Sequence, residues 1–146
     1  EAIRMRPERF ARSPQERGHH AMDWYYPVLT GVLEGEAGRT HLLSQWDRFV
    51  EPELGCRCVA HEPWVTVAES CELVMAALRC GMDVQAAHLL ELVEARRDPT
   101  GAFWMGWQFV EGIHWPAERP SWTQAAYVLT LDMFERITPA SGIFAD

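Results

Sequence analysis

Apolar residues recur along most of this chain at helical spacing, and the helices they outline are of two kinds. From Asp23, the stretch DWYYPVLTGVLEG puts Trp24, Val28, Leu29, Val32 and Leu33 on one stripe. Asp23 serves as N-cap, Pro27 is tolerated in the first turn, and the helix stops near Gly35. A second helix, over about 37–50, carries Leu42, Leu43, Trp46, Phe49 and Val50 on one side and Arg39, Gln45, Asp47 and Arg48 on the other. Thr66 opens a third, with Glu69 in the capping-box position and Gly81 as the stop. Between Val67 and Leu78 its polar residues are Glu69, Ser70 and Glu72, so it is expected to be buried nearly all round. A fourth helix, capped by Asp83 and running to about Arg97, sets Gln85, His88, Glu91 and Glu94 on a wet side. The fifth starts at Ser121, with Gln124 in the capping-box position, and AAYVLTLDMF reads as buried like the third.

Buried and amphipathic helices therefore alternate. An up-and-down bundle does not need this, because each of its helices faces solvent on one side. Concentric layering does: inner helices are packed on both sides, outer ones on one. The expected fold class is all-α, with αα-hairpins forming an arc of an α/α toroid over residues 22–146. Residues 1–21 mix Arg, Glu, Pro and Gly without an apolar period and are expected to be a flexible linker.

Several stretches also carry a resemblance. LLELVEARRDPTGAFWMGW resembles the repeat of terpenoid cyclases and protein prenyltransferases, in which an acidic-glycine turn and an aromatic residue join an outer helix to the next inner one. MDWYYPVLTGVLEGE, PWVTVAESCELVMAAL, WPAERPSWTQAAYVLTLDMF and TPASGIF are similar to the C-terminal part of actinobacterial proteins of the prenyltransferase-like type, over about residues 22–144. The resemblance implies that Asp98 and Gly101 make the turn and that Phe103 and Trp104 wedge between hairpins. It also implies a ring larger than five helices can close, hence exposed apolar ends and contact with a missing N-terminal half or a second copy. The D-x-D-D run of class II cyclases is absent, and Cys56 stands where the Asp-x-Cys zinc pair of a prenyltransferase would place an aspartate before Cys58.

Composition narrows the partners. A formal charge of −8 and 21 acidic against 13 basic residues disfavour nucleic acid and anionic lipid. No run reaches the roughly 18 apolar residues of a spanning helix, and the first residues lack a signal-peptide core, so a cytoplasmic location is expected. The four cysteines are expected to be reduced. In GCRCVAHEP the one-residue spacing of Cys56 and Cys58 before His61 is not that of a zinc site, and no metal or cofactor is expected.

Candidate chemistry rests on aromatics and carboxylates. Trp24, Tyr25, Trp64, Trp104, Trp107 and Trp122 lie at helix starts or in long loops, where a toroid would turn them toward a cavity suited to an isoprenoid-like or other apolar ligand. The competing structural role for each tryptophan is a hairpin wedge. Glu69, Glu72 and Asp23 are the acidic residues most disposed to face such a cavity, and Glu69 and Asp23 are the carboxylates to test. Capping is the competing role for both. Three functions follow: a prenyltransferase-like or cyclase-like protein on an apolar ligand, a six-hairpin glycosidase-like protein using Glu69 and Asp23, or a helical scaffold that assembles through its open ends.

Overall fold

The structure is a computed structural model that describes residues 18–144. Most of the expected linker, residues 1–17, lies outside the described residues. The helices are α1 (Ala21–Leu29), α2 (Gly35–Leu43), the single turn α3 (Trp46–Phe49), α4 (Val67–Arg79), α5 (Asp83–Glu94) and α6 (Ser121–Glu135), followed by a 3-10 turn at Pro139–Gly142. Short strands interrupt them: β1 (Val50–Glu51), β2 (Gly55–Cys56), β3 (Trp64–Thr66), β4 (Gly106–Gln108) and β5 (Ile113–His114).

These strands correct the all-α expectation. β1 pairs antiparallel with β2, Val50 opposite Cys56, and β3, β4 and β5 form a second antiparallel sheet with Val65 opposite Trp107 and Trp107 opposite His114. Each strand is two or three residues long, too short for alternation of polar and apolar positions to show, and apart from Val50, at the end of the expected second helix, and Thr66, the expected N-cap of the third, they lie in segments that read as loops. Pairing is specified by close approach instead. A Cβ on Gly106 would meet Trp64 Nε1 at 2.5 Å and the Val65 carbonyl at 2.6 Å, so only glycine lets β4 lie against β3.

The toroid arc is also not formed. α4 is a single central helix against which α1, α5 and α6 all pack. Its Val67, Ala68, Ser70, Cys71 and the run Leu73–Ala77 are buried, which agrees with the unbroken apolar character of that segment. β3 runs straight into it, and Thr66 is both the last strand residue and the N-cap. The Thr66 hydroxyl, however, donates to the Glu69 carboxylate and not within a backbone capping box.

Local chemistry explains the other departures. α1 begins at Ala21, so Asp23 stands inside the first turn rather than at the cap, and Pro27 lies within the helix, which ends at Leu29. The expected second helix breaks at Ser44–Gln45 into α2 and α3 before turning into β1. α5 starts with Met82 as N-cap and ends at Glu94. Asp98 does make the expected turn: its side chain accepts from the Thr100 N–H at 2.8 Å, the Thr100 hydroxyl at 2.6 Å and the Ala102 N–H at 3.1 Å, and Gly101 takes φ +90°. Phe103 then inserts against Tyr127, ring centroids 4.4 Å apart.

The largest correction concerns α6, expected to be sheathed on all sides. Its polar Thr123, Thr130 and Asp132 are buried, while Trp122, Val128 and Leu129 are exposed. Among the described residues, no helix is long and apolar enough to cross a membrane.

Candidate functional site

Two side-chain clusters flank the N-terminal half of α4. The first is built on Glu69 and Glu72, which are three apart and so share one helix face. Two consecutive residues of α1 approach it. Tyr25 is fully buried and its hydroxyl donates to Glu72 Oε2, while the more exposed Tyr26 brings its hydroxyl to 3.4 Å from Glu72 Oε1. Successive helical residues diverge by about 100°, so one tyrosine anchors Glu72 from inside and the other stands at the rim. Glu69 accepts from the Thr66 hydroxyl and from the Cys58 thiol, which the β2–β3 connection carries to this face.

The electrostatics follow from partial burial. Burial raises the Glu72 carboxyl, the Tyr25 hydroxyl opposes this by hydrogen bonding to the carboxylate, and the negative charge of Glu69 pushes it up again. The net direction is upward: Glu72 keeps its proton more readily than an ordinary glutamate. Burial and the nearby glutamates raise both tyrosines, and Cys58 is pushed up to about 12, first by burial and then by Glu69. These hydroxyls and the thiol are donors at neutral pH.

The second cluster is aromatic and lies on the β3–β4–β5 sheet. Trp104 stacks on His114 at 4.7 Å with Arg119 4.6 Å from its ring, Trp107 meets His114 edge-on, and Arg96 lies 5.5 Å from the Trp107 ring. Trp64 donates through Nε1 to the Trp115 carbonyl at 2.6 Å. A small cavity runs from Arg96, Trp104 and Trp107 to Thr66, Val67 and Ser70 of the β3–α4 junction. Helical spacing puts Val67 and Ser70 on the opposite side of α4 from Glu69 and Glu72, so the two clusters are separate.

The expected site residues are thus divided. Glu69 and Tyr25 come together at the carboxylate cluster, whereas Trp64, Trp104 and Trp107 belong to the sheet. Trp24 is in the core, stacked on Phe49 at 5.2 Å with its Nε1 donating to the His41 carbonyl, and fastens α1 to α2 and α3. Trp122 is 49% exposed on α6. Asp23 is half-buried on α1, one turn before Tyr26. Sequence reasoning passed over the pairing of Glu72 with Tyr26. Its signal was Glu72 itself, the last polar residue before an otherwise apolar run, but only the packing of α1 on α4 supplies the tyrosines. Cys56 is buried and His61 is exposed beside Glu62; among the described residues no group of three or more His, Cys, Asp or Glu could hold a metal ion.

No family model matches the sequence. Over 143 residues, 98% of this chain, it is 43% identical to the MMP endo-(1,4)-3-O-methyl-alpha-D-mannosidase of Mycolicibacterium hassiacum. That relative and the two sheets overturn the prenyltransferase-like resemblance. The chain spans about two fifths, 39%, of the relative's length.

Proposed function

We propose that the Glu69–Glu72 face is part of the active site of a carbohydrate-active protein, and that its saccharide is an α-1,4-linked methylmannoside like the one in the relative's name. The observation that carries this is the state of Glu72: a half-buried carboxyl, raised by burial and by Glu69, held by Tyr25 and facing an exposed tyrosine hydroxyl. Glycosidic cleavage uses one carboxyl whose proton affinity is raised, to give a proton to the leaving oxygen, with a second carboxylate nearby. Glu72 takes the acid role. Burial, and after it the charge of Glu69, raise its proton affinity, and the exposed Tyr26 hydroxyl is available to hydrogen-bond a sugar hydroxyl. Glu69 and Asp23 are the two residues tested for the second carboxylate role.

The experiment is hydrolysis of a 3-O-methylmannose oligosaccharide followed by product separation, with Glu72→Gln, Glu69→Gln and Asp23→Asn measured beside the parent. Glu72→Gln is expected to lower kcat at least about 100-fold while KM and thermal stability change little, since the amide keeps shape but has no proton to give. Turnover by Glu72→Gln equal to the parent's, or no turnover and no saccharide binding by the parent, overturns the proposal.

A further inference from the structure

The β3–β4–β5 sheet has two faces, and Trp107 and His114 project from one of them. Residues directly opposite each other in an antiparallel pair lie on the same side, and successive residues on opposite sides. Trp64, Gln108 and Ile113 stand opposite one another across the three strands and so form a row on the other face, to which Thr66, two residues beyond Trp64, also belongs. The Trp64 indole fills the space that a side chain at Gly106 would take. Trp115, one residue past β5, sets its ring edge-on to Trp64, centroids 5.3 Å apart at 75°, and its carbonyl accepts from Trp64 Nε1 at 2.6 Å. Two rings at this angle make a corner, and the corner is open: Trp115 is 55% exposed and the neighbouring Ile113 48%.

The chemistry of this corner is that of a neutral, partly apolar ligand. Trp64, Thr66, Gln108, Ile113 and Trp115 are all uncharged, in a chain of formal charge −8. The Gln108 Oε1 accepts from the Glu111 N–H at 2.6 Å, which orients the amide and leaves its NH2 group to serve as a donor. A pyranose offers a C–H face to a flat ring and hydroxyls to an amide, and an O-methyl group adds apolar surface. An anion would meet no cation in this row. The corner also borders the carboxylate cluster: Trp64 precedes Thr66 by two residues, roughly 7 Å along an extended strand, and the Thr66 hydroxyl donates to Glu69. A saccharide lying along β3 therefore spans from the tryptophans toward Glu69. Cleavage inside a saccharide chain leaves units on both sides of the broken linkage, and those units need surface of their own.

We propose that the Trp64–Trp115 corner is a saccharide-binding subsite that stacks a neutral methylated pyranose beside the unit handled at Glu69 and Glu72. The proposal rests on the saccharide reading of those carboxylates, and its test is a binding measurement so that the two can fail separately. A 3-O-methylmannose tetrasaccharide is titrated calorimetrically into the parent, Trp115→Ala and Trp115→Tyr. Trp115→Ala removes an exposed ring and keeps the carbonyl that holds Trp64, so circular dichroism and melting temperature should be unchanged. It is expected to bind at least about tenfold more weakly, and Trp115→Tyr, which keeps an aromatic face, to restore most of the affinity. A second measurement needs no variant: saccharide should slow oxidation of Trp115 by N-bromosuccinimide, read by mass spectrometry, without slowing that of Trp122, which is 49% exposed on α6. Equal binding by parent and Trp115→Ala overturns the subsite, as does oxidation of Trp115 that saccharide leaves unchanged. With the parent still hydrolysing the tetrasaccharide, either result leaves the Glu72 reading standing. Full activity of Glu72→Gln together with weakened binding by Trp115→Ala overturns the catalytic reading and upholds the subsite, and a parent that binds no saccharide overturns both.

Discussion

Replacing Tyr25 with Phe tests the electrostatics of the carboxylate cluster without disturbing its packing. The ring stays in its buried position, and only the hydroxyl that donates to Glu72 is removed. A hydrogen bond to a charged acceptor contributes about 1.5–3 kcal/mol net, and one between neutral groups about 0.5–1.5 kcal/mol. The variant is therefore expected to lose about 1–3 kcal/mol, and more at pH 7 than at pH 4, because the bond to the carboxylate is stronger than the bond to the carboxylic acid. The sign of the pH effect follows from Glu72. Its folded-state pKa is raised above the ordinary 4.5, so its contribution to stability is complete below that pH and diminishes as pH rises through the folded value. Losing the Tyr25 donor raises the folded value further, which enlarges the loss on going to neutral pH. Urea unfolding followed by tryptophan fluorescence at both pH values measures the difference, and at pH 7 the melting temperature should fall by about 6–8 °C. A loss no larger at pH 7 than at pH 4, or one that persists undiminished in a Glu72→Gln background, refutes the assignment of the hydroxyl to Glu72.

Three further outcomes are expected. Leu73→Ala leaves a cavity at the fully buried centre of α4 and should cost about 2–5 kcal/mol in urea unfolding, while far-UV circular dichroism is kept. Asp98 is held at about 2, against an ordinary 3.8, mainly by the Thr100 hydroxyl and then by Arg119 and the two backbone N–H groups. Its contribution is present above about pH 4 and lost as pH falls toward 2, so the acid-side slope of stability should flatten in Asp98→Asn, measured by unfolding at stepped pH. With its pKa at about 12, the Cys58 thiol should react with iodoacetamide at pH 8 at least tenfold more slowly than free cysteine, and at the ordinary rate in denaturant, as followed by mass spectrometry.

The helices of this chain were legible because their signals are local. The apolar run from Leu73 to Ala77, closed by Gly81 at φ +64°, specifies a buried helix wherever it is placed, and the Asp98–Gly101 turn is written in the residues that make its hydrogen bonds. α6 misled because AAYVLTLDMF is mostly apolar, and apolarity says that a surface wants cover without saying which side has it. There the face carrying Thr123, Tyr127, Thr130 and Met133 turns inward, with Thr130 bonded to the Cys71 carbonyl, which leaves Val128 and Leu129 outward. The candidate site was half legible for a similar reason: Glu69 stands out by its spacing from Thr66, but nothing near Glu72 in the sequence announces Tyr25 and Tyr26, which are more than forty residues away.

The sequence by itself determined where the chain coils and where it turns, since helix periodicity, caps and glycines act over a few residues. The tertiary structure alone decided that Trp64–Thr66, Gly106–Gln108 and Ile113–His114 pair into a sheet, that one helix sits at the centre instead of several in a ring, and that Glu72 keeps company with two tyrosines. Strands this short draw their stability from partners far along the chain, and a carboxyl's proton affinity depends on the water and charge that folding removes or brings near, so neither is encoded in any local window of residues.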